Sequence, residues 1–330
     1  MALALAIHGG AGTILRSQMT PDLEREYRGG LEAALKAGWA LLESGGSSLD
    51  AVERAVISLE DFPLFNAGRG SVFTHAGEQE MDSAIMDGHN LKAGAVAFVK
   101  NIKNPVSLAR LVMERTEHVL LAGEGANQFA EQIGVKTEPD EYFFTEHRWL
   151  QLQEARAEGR VQLDHASSSS PPYEGEVAAV SADGVGLSDA PPSKPIGTVG
   201  AVACDWNGNL AAATSTGGMT NKKFGRIGDT AIIGSGTYAD QTCAVSCTGH
   251  GEYFMLAATA FDVAARMKYK GLSLEAAAQE AVDHLTAISG EGGLIAVDTS
   301  GNVTLPFNSD GMYRGYVSMD GQISVEIYGS

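Results

Sequence analysis

Two groups of hydroxyl residues near the middle of the chain could supply a nucleophile. Thr198 follows Gly197 at the start of an apolar segment, and the run Thr214-Ser-Thr-Gly-Gly-Met-Thr220 comes soon after. A threonine hydroxyl is a weak nucleophile unless a base takes its proton. An α-amine suits that task because its pKa of about 7.7–8.0 is near working pH, whereas that of lysine is about 10.4. A threonine at the start of a chain would therefore carry its own base.

Thr198 gains a free α-amine only if the Gly197–Thr198 bond breaks, and the preceding sequence suits such a cut. Residues 166–194 contain four consecutive serines, two Pro-Pro pairs and little apolar periodicity. Such a segment buries too little apolar surface to offset the entropy lost on ordering, which predicts a flexible linker. Gly197, which lacks Cβ, tolerates a strained backbone at the cut. We predict self-cleavage into an α subunit (residues 1–197) and a β subunit (residues 198–330) that form one composite domain.

Residues that could bind a substrate follow in the same half of the chain. Arg226 and Asp229 lie between glycines, and Thr248-Gly-His-Gly-Glu252 lies at a predicted strand-to-helix junction. Each feature alone has an ordinary explanation, since threonine is common in strands and an Arg–Asp pair is most often a surface ion pair. His8, beside two glycines, is best explained on its own as a core histidine. Only the combination points to chemistry.

The hydrophobic periodicity predicts blocks of helices and strands that position these residues. Strict βαβ alternation is not seen, which favours antiparallel sheets stacked between helical layers over a Rossmann fold. Helices are predicted at Pro21–Leu42, Ser48–Leu59, Pro105–Glu114, Glu124–Gln132, Arg148–Glu158, Glu252–Met267 and Ser273–Ile288. Strands are predicted at Ala2–Ile7 (followed by a turn at His8–Gly12), Gly94–Val99, Gly197–Cys204, Leu210–Ser215, Ala231–Gly234, Ala244–Thr248, Gly293–Asp298, Gly301–Leu305 and Gln322–Tyr328.

Composition and charge argue against several classes of partner. The 330 residues carry a formal net charge of −18, which repels phosphate backbones and anionic membranes. The three cysteines are too few for a secreted disulfide scaffold and are expected to be buried thiols of a cytoplasmic protein. The N-terminal segment lacks the basic start of a signal peptide, and no apolar run reaches the roughly 20 residues of a spanning helix. We therefore expect no nucleic-acid and no membrane partner.

Taken together, the motifs resemble those of the plant-type asparaginase and isoaspartyl aminopeptidase family of N-terminal-nucleophile hydrolases. The resemblance extends over nearly the whole chain and implies an α+β fold, a four-layer αββα sandwich. Its most specific part is the spacing between the Gly-Thr-Val-Gly and Ser-Thr-Gly-Gly motifs. The motifs that carry it are His8-Gly-Gly-Ala-Gly12, Phe65-Asn-Ala-Gly68, Met81-Asp-Ser-Ala-Ile-Met-Asp-Gly88, Gly197-Thr-Val-Gly-Ala201, Thr214-Ser-Thr-Gly-Gly-Met-Thr220, Gly225-Arg-Ile-Gly-Asp229, Cys247-Thr-Gly-His-Gly-Glu252 and Pro306-Phe-Asn308.

The resemblance implies a role for each residue of the catalytic group. Thr198 would be the nucleophile, and Thr216 would hydrogen-bond near its hydroxyl. The Thr248 hydroxyl and the Gly249 N–H would form an oxyanion hole at the end of a strand. Asn66 would support the nucleophile.

It also implies how the substrate is held. Arg226 would clamp the α-carboxylate as a bidentate fork, which lysine could not reproduce. Asp229 would pair with the α-ammonium, helped by the carbonyl of Gly251, and Gly249 would line the same site. His250 departs from the family pattern, in which some members carry a small hydroxyl residue, so the leaving-group side of this pocket is expected to differ.

The same resemblance implies an ion and an assembly. No organic cofactor is expected, and two αβ units would pair into an (αβ)2 heterotetramer through an isologous interface. Carbonyl oxygens suit a hard cation. A sodium ion would be held by the backbone carbonyls of Leu59, Glu60, Phe62, Phe65, Ala67 and Arg69.

The predicted activity is hydrolysis of β-aspartyl dipeptides and of L-asparagine to L-aspartate, with the preference between them left open. A related N-terminal-threonine enzyme, glycosylasparaginase, is the nearest alternative, but its members are usually secreted or lysosomal. A taspase-like endopeptidase fits less well. An uncleaved scaffold or binder of the same fold would not need Thr198, Arg226 and Asp229 together.

Overall fold

The computed structural model describes residues 2–159, 161 and 197–329. The predicted linker at residues 166–194 lies outside these. The described residues form one eight-stranded and one four-stranded sheet, with helices on both. The strands are β1 (Ala4–Gly12), β2 (Met81–Asp87), β3 (Lys92–Val99), β4 (Leu120–Ala122), β5 (Val199–Cys204), β6 (Leu210–Thr216), β7 (Thr237–Ala239), β8 (Cys243–Gly249), β9 (Gly292–Asp298), β10 (Val303–Thr304), β11 (Gly311–Ser318) and β12 (Ile323–Tyr328).

Some of the helices begin where short polar side chains cap them. Thr20 and Ser47 accept hydrogen bonds from the backbone N–H groups of Leu23 and Asp50, and Ser273 caps a third helix in the same way. The α-helices are α1 (Pro21–Glu43), α2 (Ser48–Glu60), α3 (Pro105–Arg115), α4 (Gly123–Gln132), α5 (Asp140–Phe143), α6 (Glu146–Ala157), α7 (Gly251–Ala257), α8 (Thr259–Lys270) and α9 (Leu274–Ala287). Within the described ranges, no helix is both long enough and apolar enough to cross a membrane.

Strand order places β5 and β6 at the centre of the larger sheet. The order is β12-β11-β1-β5-β6-β2-β3-β4 in that sheet and β10-β9-β8-β7 in the smaller one. Pairing between successive strands is antiparallel except for the parallel pair β3–β4. The predicted hairpin of β5 and β6 is confirmed, as is the antiparallel character of the fold.

The two sheets pack face to face through small residues. Ala4, Val202 and Ala212 of the larger sheet share a buried cluster with Ala244 and Ile295 of the smaller one. Helices α1 and α2 cover the opposite face of the larger sheet, and α8 and α9 pack on the smaller sheet. Helices and mainly antiparallel sheets therefore form separate layers, which makes the fold α+β.

Several predicted elements are wrong in extent or in kind. The turn predicted at His8–Gly12 is the second half of β1, which continues through a bulge between His8 and Gly10. The strand predicted at Ala231–Gly234 is a turn, and the strand at this point is β7. The helix predicted at Glu252–Met267 is broken at Ala258, whose φ of 47° is left-handed. The strands β2, β4 and β11 were not predicted.

Candidate active site

The hairpin of β5 and β6 places Thr198 beside Thr216. Val199 pairs with Ser215 in the antiparallel register, so the residue before β5 lies next to the last residue of β6. The Thr198 hydroxyl donates to Oγ1 of Thr216 at 3.2 Å, and Thr216 also accepts from the N–H of Gly218 at 2.9 Å. Both threonines are buried, which fixes the orientation of the candidate nucleophile.

Asn66 lies under the turn that follows β6. Its side chain donates to the carbonyl of Gly218 at 2.8 Å and accepts from the N–H of Val72 at 3.0 Å. Its backbone carbonyl accepts from Gly217 at 3.1 Å. A Cβ on Gly217 would lie 2.5 Å from Oδ1 of Asn66, so only glycine allows this close approach. Asn66 is therefore placed to hold the turn that orients Thr216.

The end of β8 brings Gly249 into the same cleft, with the buried Thr248 directly before it in the chain. Thr248 is buried, and its Oγ1 accepts from the N–H of Ala11 at 3.2 Å. Because that contact uses only a lone pair, the Thr248 hydroxyl proton remains available to donate. Gly249 lies in the cleft with a φ of 150°, and a Cβ there would lie 2.3 Å from the carbonyl oxygen of Glu291. A side chain at this position would therefore displace the strand end.

Arg226 makes an ion pair that local sequence spacing does not predict. Its Nε and Nη2 donate to the two carboxylate oxygens of Glu252, each at 2.9 Å. Burial raises the pKa of Glu252, but the hydrogen bonds and charge of Arg226 outweigh this and hold that pKa below its usual range. The remaining guanidinium edge carries Nη1, which lies near the cleft glycines Gly218 and Gly228. One edge is thus paired within the protein, and the other faces the cleft.

Asp229 lies in the same cleft as an almost fully buried carboxyl. Burial raises the pKa of Asp229 to about 7, although the nearby Arg226 opposes the shift. Among the described residues no group hydrogen-bonds to its Oδ2. A Cβ on Gly251 would lie 2.7 Å from Oδ1 of Asp229, so this glycine gives the carboxyl its space. The residues that line the cleft are Ala11, Gly197, Thr198, Thr216, Gly218, Met219, Arg226, Gly228, Asp229, Thr230 and Gly249.

Comparison with known proteins identifies the family of this chain. The family model described as asparaginase matches residues 1–327. This chain belongs to the asparaginase family. It is 49% identical to a putative isoaspartyl peptidase/L-asparaginase of Dictyostelium discoideum, over 96% of this chain and 93% of that protein. It is 50% identical to the isoaspartyl peptidase of Escherichia coli, over 94% of this chain and 92% of that protein. The plant-type L-asparaginase of Pyrococcus horikoshii is 42% identical over 96% of each chain. The resemblance found in the sequence motifs is confirmed.

The loop after α2, where the sequence predicts a sodium site, is tightly closed. Gly68, with a φ of 51°, closes the loop so tightly that a Cβ there would lie 2.5 Å from the carbonyl oxygen of Glu60. The carbonyls of Phe62, Phe65 and Ala67 each accept one backbone hydrogen bond, which leaves each a second lone pair. The Leu59 carbonyl accepts from the N–H groups of both Asp61 and Phe62. The set of carbonyl oxygens fits a hard cation, and the described residues contain no cluster of three or more metal-binding side chains.

Two parts of the site carried no role in the sequence interpretation. Glu252 is the last residue of the motif Cys247–Glu252, but no local sequence feature marks it as the partner of Arg226. His8 is fully buried and donates towards the backbone carbonyl of Thr198, with Nδ1 at 3.0 Å from the oxygen. Its other nitrogen lies 2.8 Å from Oγ of Ser246, which is 238 residues away in the chain. No sequence pattern could have linked residues this distant. His250 lies 3.4 Å from Glu252 at the edge of the site, and burial lowers its pKa.

Proposed function

We propose that the chain is a self-cleaving amidohydrolase that converts β-aspartyl dipeptides and L-asparagine to L-aspartate, with Thr198 as nucleophile. The observation that carries this proposal is the cleft in which Thr198 lies together with Arg226 and Asp229. A hydroxyl nucleophile, a cation and a carboxyl in one cleft match the three functional groups of an aspartyl substrate. Membership of the asparaginase family supports the same activity.

Self-cleavage would create the catalytic base. The Thr198 hydroxyl attacks the carbonyl carbon of Gly197, and the peptide nitrogen leaves as the α-amine while an ester forms. Water then hydrolyses the ester, which gives an α subunit ending at Gly197 and a β subunit starting at Thr198. Gly197 lines the cleft beside Thr198, which supports this path. The new amine has a pKa near working pH and can take the proton of its own hydroxyl.

The catalytic cycle would use the same groups in two half-reactions. The Thr198 alkoxide attacks the side-chain amide carbon, and the oxyanion accepts hydrogen bonds from the Thr248 hydroxyl and the Gly249 N–H. The protonated amine of Thr198 then gives its proton to the departing amine or ammonia. Water attacks the acyl-enzyme ester with the amine again as base, and L-aspartate is released. Thr216, held by Gly218 and indirectly by Asn66, orients the hydroxyl throughout.

Recognition of the aspartyl group would divide the guanidinium of Arg226 between two carboxylates. Glu252 takes the edge formed by Nε and Nη2, so the substrate α-carboxylate would take the edge with Nη1. The α-ammonium would pair with Asp229, with the carbonyl of Gly251 beside it. An ammonium at this point favours the ionised carboxyl, so binding would lower the raised pKa of Asp229.

We further propose properties of the whole molecule that the family suggests. The two sheets and their helices would form a four-layer αββα sandwich. The carbonyls of the loop after α2, including those of Glu60 and Arg69, would hold a structural sodium ion, with no organic cofactor. Two αβ units would form an (αβ)2 heterotetramer in the cytoplasm.

Steady-state kinetics on β-aspartyl dipeptides, L-asparagine, α-aspartyl dipeptides and an asparagine-linked sugar would test the activity. The purified, cleaved protein should release aspartate from β-aspartyl dipeptides at least as readily as it releases ammonia from L-asparagine, because the acyl-enzyme is the same for both. α-Aspartyl dipeptides should not be hydrolysed, since their α-carboxylate is consumed in the peptide bond and cannot reach Arg226. Efficient cleavage of α-aspartyl dipeptides would contradict the proposed recognition. A cleaved protein active only on asparagine-linked sugars would indicate a glycosylasparaginase, and a single inert chain would indicate a scaffold.

A further inference from the structure

A line of buried polar side chains crosses from the smaller sheet to the candidate nucleophile. The Thr237 hydroxyl lies 2.7 Å from Oγ1 of Thr214, and Thr214 lies 2.7 Å from Oγ of Ser246. Ser246 in turn lies 2.8 Å from Nε2 of His8, whose Nδ1 lies 3.0 Å from the carbonyl oxygen of Thr198. The four side chains of this line each have 0% exposure, so water does not complete their hydrogen bonds.

The backbone carbonyl of Thr198, at the end of this line, decides which group donates in each hydrogen bond. A carbonyl oxygen only accepts, so Nδ1 of His8 must carry the proton. Burial lowers the pKa of His8 to about 3, so the ring is neutral and Nε2 is an acceptor. Ser246 must then donate to Nε2, and its single proton is used. Thr214 therefore donates to Ser246 at 2.7 Å in preference to the carbonyl of Gly236 at 3.4 Å. Thr237 likewise donates to Thr214 at 2.7 Å in preference to the carbonyl of Thr230 at 3.2 Å.

The contact between Ser246 and His8 needs a residue without a side chain at position 200 of the neighbouring strand β5. Gly200 of β5 is opposite both His8 and Thr214 in the sheet register. A Cβ on Gly200 would lie 2.0 Å from Oγ of Ser246 and 2.4 Å from Nε2 of His8. Glycine at position 200 is thus required for the contact between Ser246 and His8 to form.

We propose that His8 is a positioning residue, and that the directional chain Thr237–Thr214–Ser246–His8 anchors the backbone carbonyl of Thr198. This rests on the proposed function, in which Thr198 becomes the first residue of the β subunit. Cleavage removes the covalent restraint on the amino side of Thr198. The hydrogen bond to its carbonyl then acts together with the contact between the Thr198 hydroxyl and Thr216: it restrains rotation of the residue and keeps the amine and the hydroxyl aimed at the substrate.

The tautomer of His8 tests the chain without reference to activity. In 15N-histidine-labelled, cleaved enzyme, solid-state NMR should show His8 as the neutral form protonated on Nδ1, unchanged between pH 5 and pH 8. Its signal is assigned by its loss in His8→Asn. A proton on Nε2, or a doubly protonated ring in this pH range, would overturn the proposal.

Two matched pairs of variants test the effect on Thr198. Asparagine at position 8 can place an amide donor near the position of Nδ1, whereas glutamine reaches only towards Nε2. His8→Gln should therefore lower kcat by about 10–100-fold, and His8→Asn by clearly less, with KM changed less than about twofold in both. Thr214→Val keeps the shape but removes the hydroxyl and should lower kcat by about tenfold, whereas Thr214→Ser should retain most of it.

Folding and function are separated by controls. Circular dichroism and intact mass establish that each variant is folded and cleaved before its kinetics are compared. Equal kcat values for Thr214→Val and Thr214→Ser, or for His8→Gln and His8→Asn, would overturn the positioning role. If Thr198→Ala retained turnover, the proposed function would fail instead, and the NMR measurement would still decide whether the chain has the stated direction.

Discussion

The two faces of β1 are equally buried but differ in chemistry near the candidate nucleophile. On the helix side, β1 presents Leu5 and Ile7, which join a large apolar cluster with α1 and α2. On the face towards the smaller sheet, the same strand presents His8, which hydrogen-bonds to Ser246. Alternation along a strand produces this contrast, because successive side chains point to opposite faces. Residues one position apart therefore face an apolar core or a polar network.

The contrast separates the groups that stabilise the fold from those available for chemistry. Burying an apolar side chain is favourable by about 1.5–3 kcal/mol, whereas a buried polar group is costly unless it is hydrogen-bonded. A buried cluster of His, Ser and Thr side chains therefore adds little to the free energy of unfolding, even when its hydrogen bonds are made. We expect substitutions on the polar side to lower activity more than stability, and substitutions on the helix side to do the reverse.

The largest effect on activity is expected from Arg226→Ala. The substrate carboxylate would lose a charged partner in a buried cleft, which costs roughly 2–5 kcal/mol, so kcat/KM should fall by about 30- to 5,000-fold. Arg226→Lys keeps the charge but loses the second edge of the fork, and it should recover only part of the activity. Both variants should still cleave themselves. Wild-type turnover of a β-aspartyl dipeptide by Arg226→Ala would remove this residue from the site.

Asp229→Asn should lower activity while raising stability. Because the folded-state pKa of Asp229 is raised from 3.8 to about 7, the wild-type protein loses stability as pH rises through that interval and stays penalised above it. The neutral amide avoids this penalty. Thermal unfolding at pH 8 should therefore give Asp229→Asn a free energy of unfolding roughly 2–4 kcal/mol higher than that of the wild type. The advantage should disappear below about pH 4. A destabilised variant at pH 8 would show that the carboxylate is satisfied in the folded protein.

Leu5→Ala is the matched test on the helix side and should have the smallest effect on catalysis. Leu5 is fully buried against Gly38 of α1, and removing its side chain should lower the free energy of unfolding by about 2–5 kcal/mol. The folded, cleaved variant should keep the wild-type kcat, which urea unfolding and steady-state kinetics on one preparation can establish. A large fall in kcat without a loss of stability would break the contrast between the two faces.

The sequence predicted what local patterns encode and missed what distant contacts decide. Helices α1 and α2 have strong apolar periodicity and capping residues, so their bounds were predicted to within one residue. The break at Ala258 carries no signal, because alanine is a good helix former and the left-handed conformation is imposed by tertiary packing. The apolar run at 231–234 resembles a strand but pairs too little to form one.

The candidate site shows the same division. The motifs placed Thr198, Arg226 and Asp229 together because they carry a resemblance to a family, which already contains three-dimensional information. The ion pair of Arg226 with Glu252 and the contact of His8 with Ser246 join residues 26 and 238 positions apart. Neither separation has a periodicity that sequence reasoning can use.

The central claim is that Thr198 creates its own base by breaking the bond to Gly197. Intact mass spectrometry of wild-type protein and of Thr198→Ala, after identical purification, tests it most directly. The wild type should give two chains whose masses correspond to residues 1–197 and 198–330, and the variant should remain one chain of 330 residues. A wild type that stays intact yet hydrolyses β-aspartyl dipeptides, or a variant that splits at the same bond, would contradict the account.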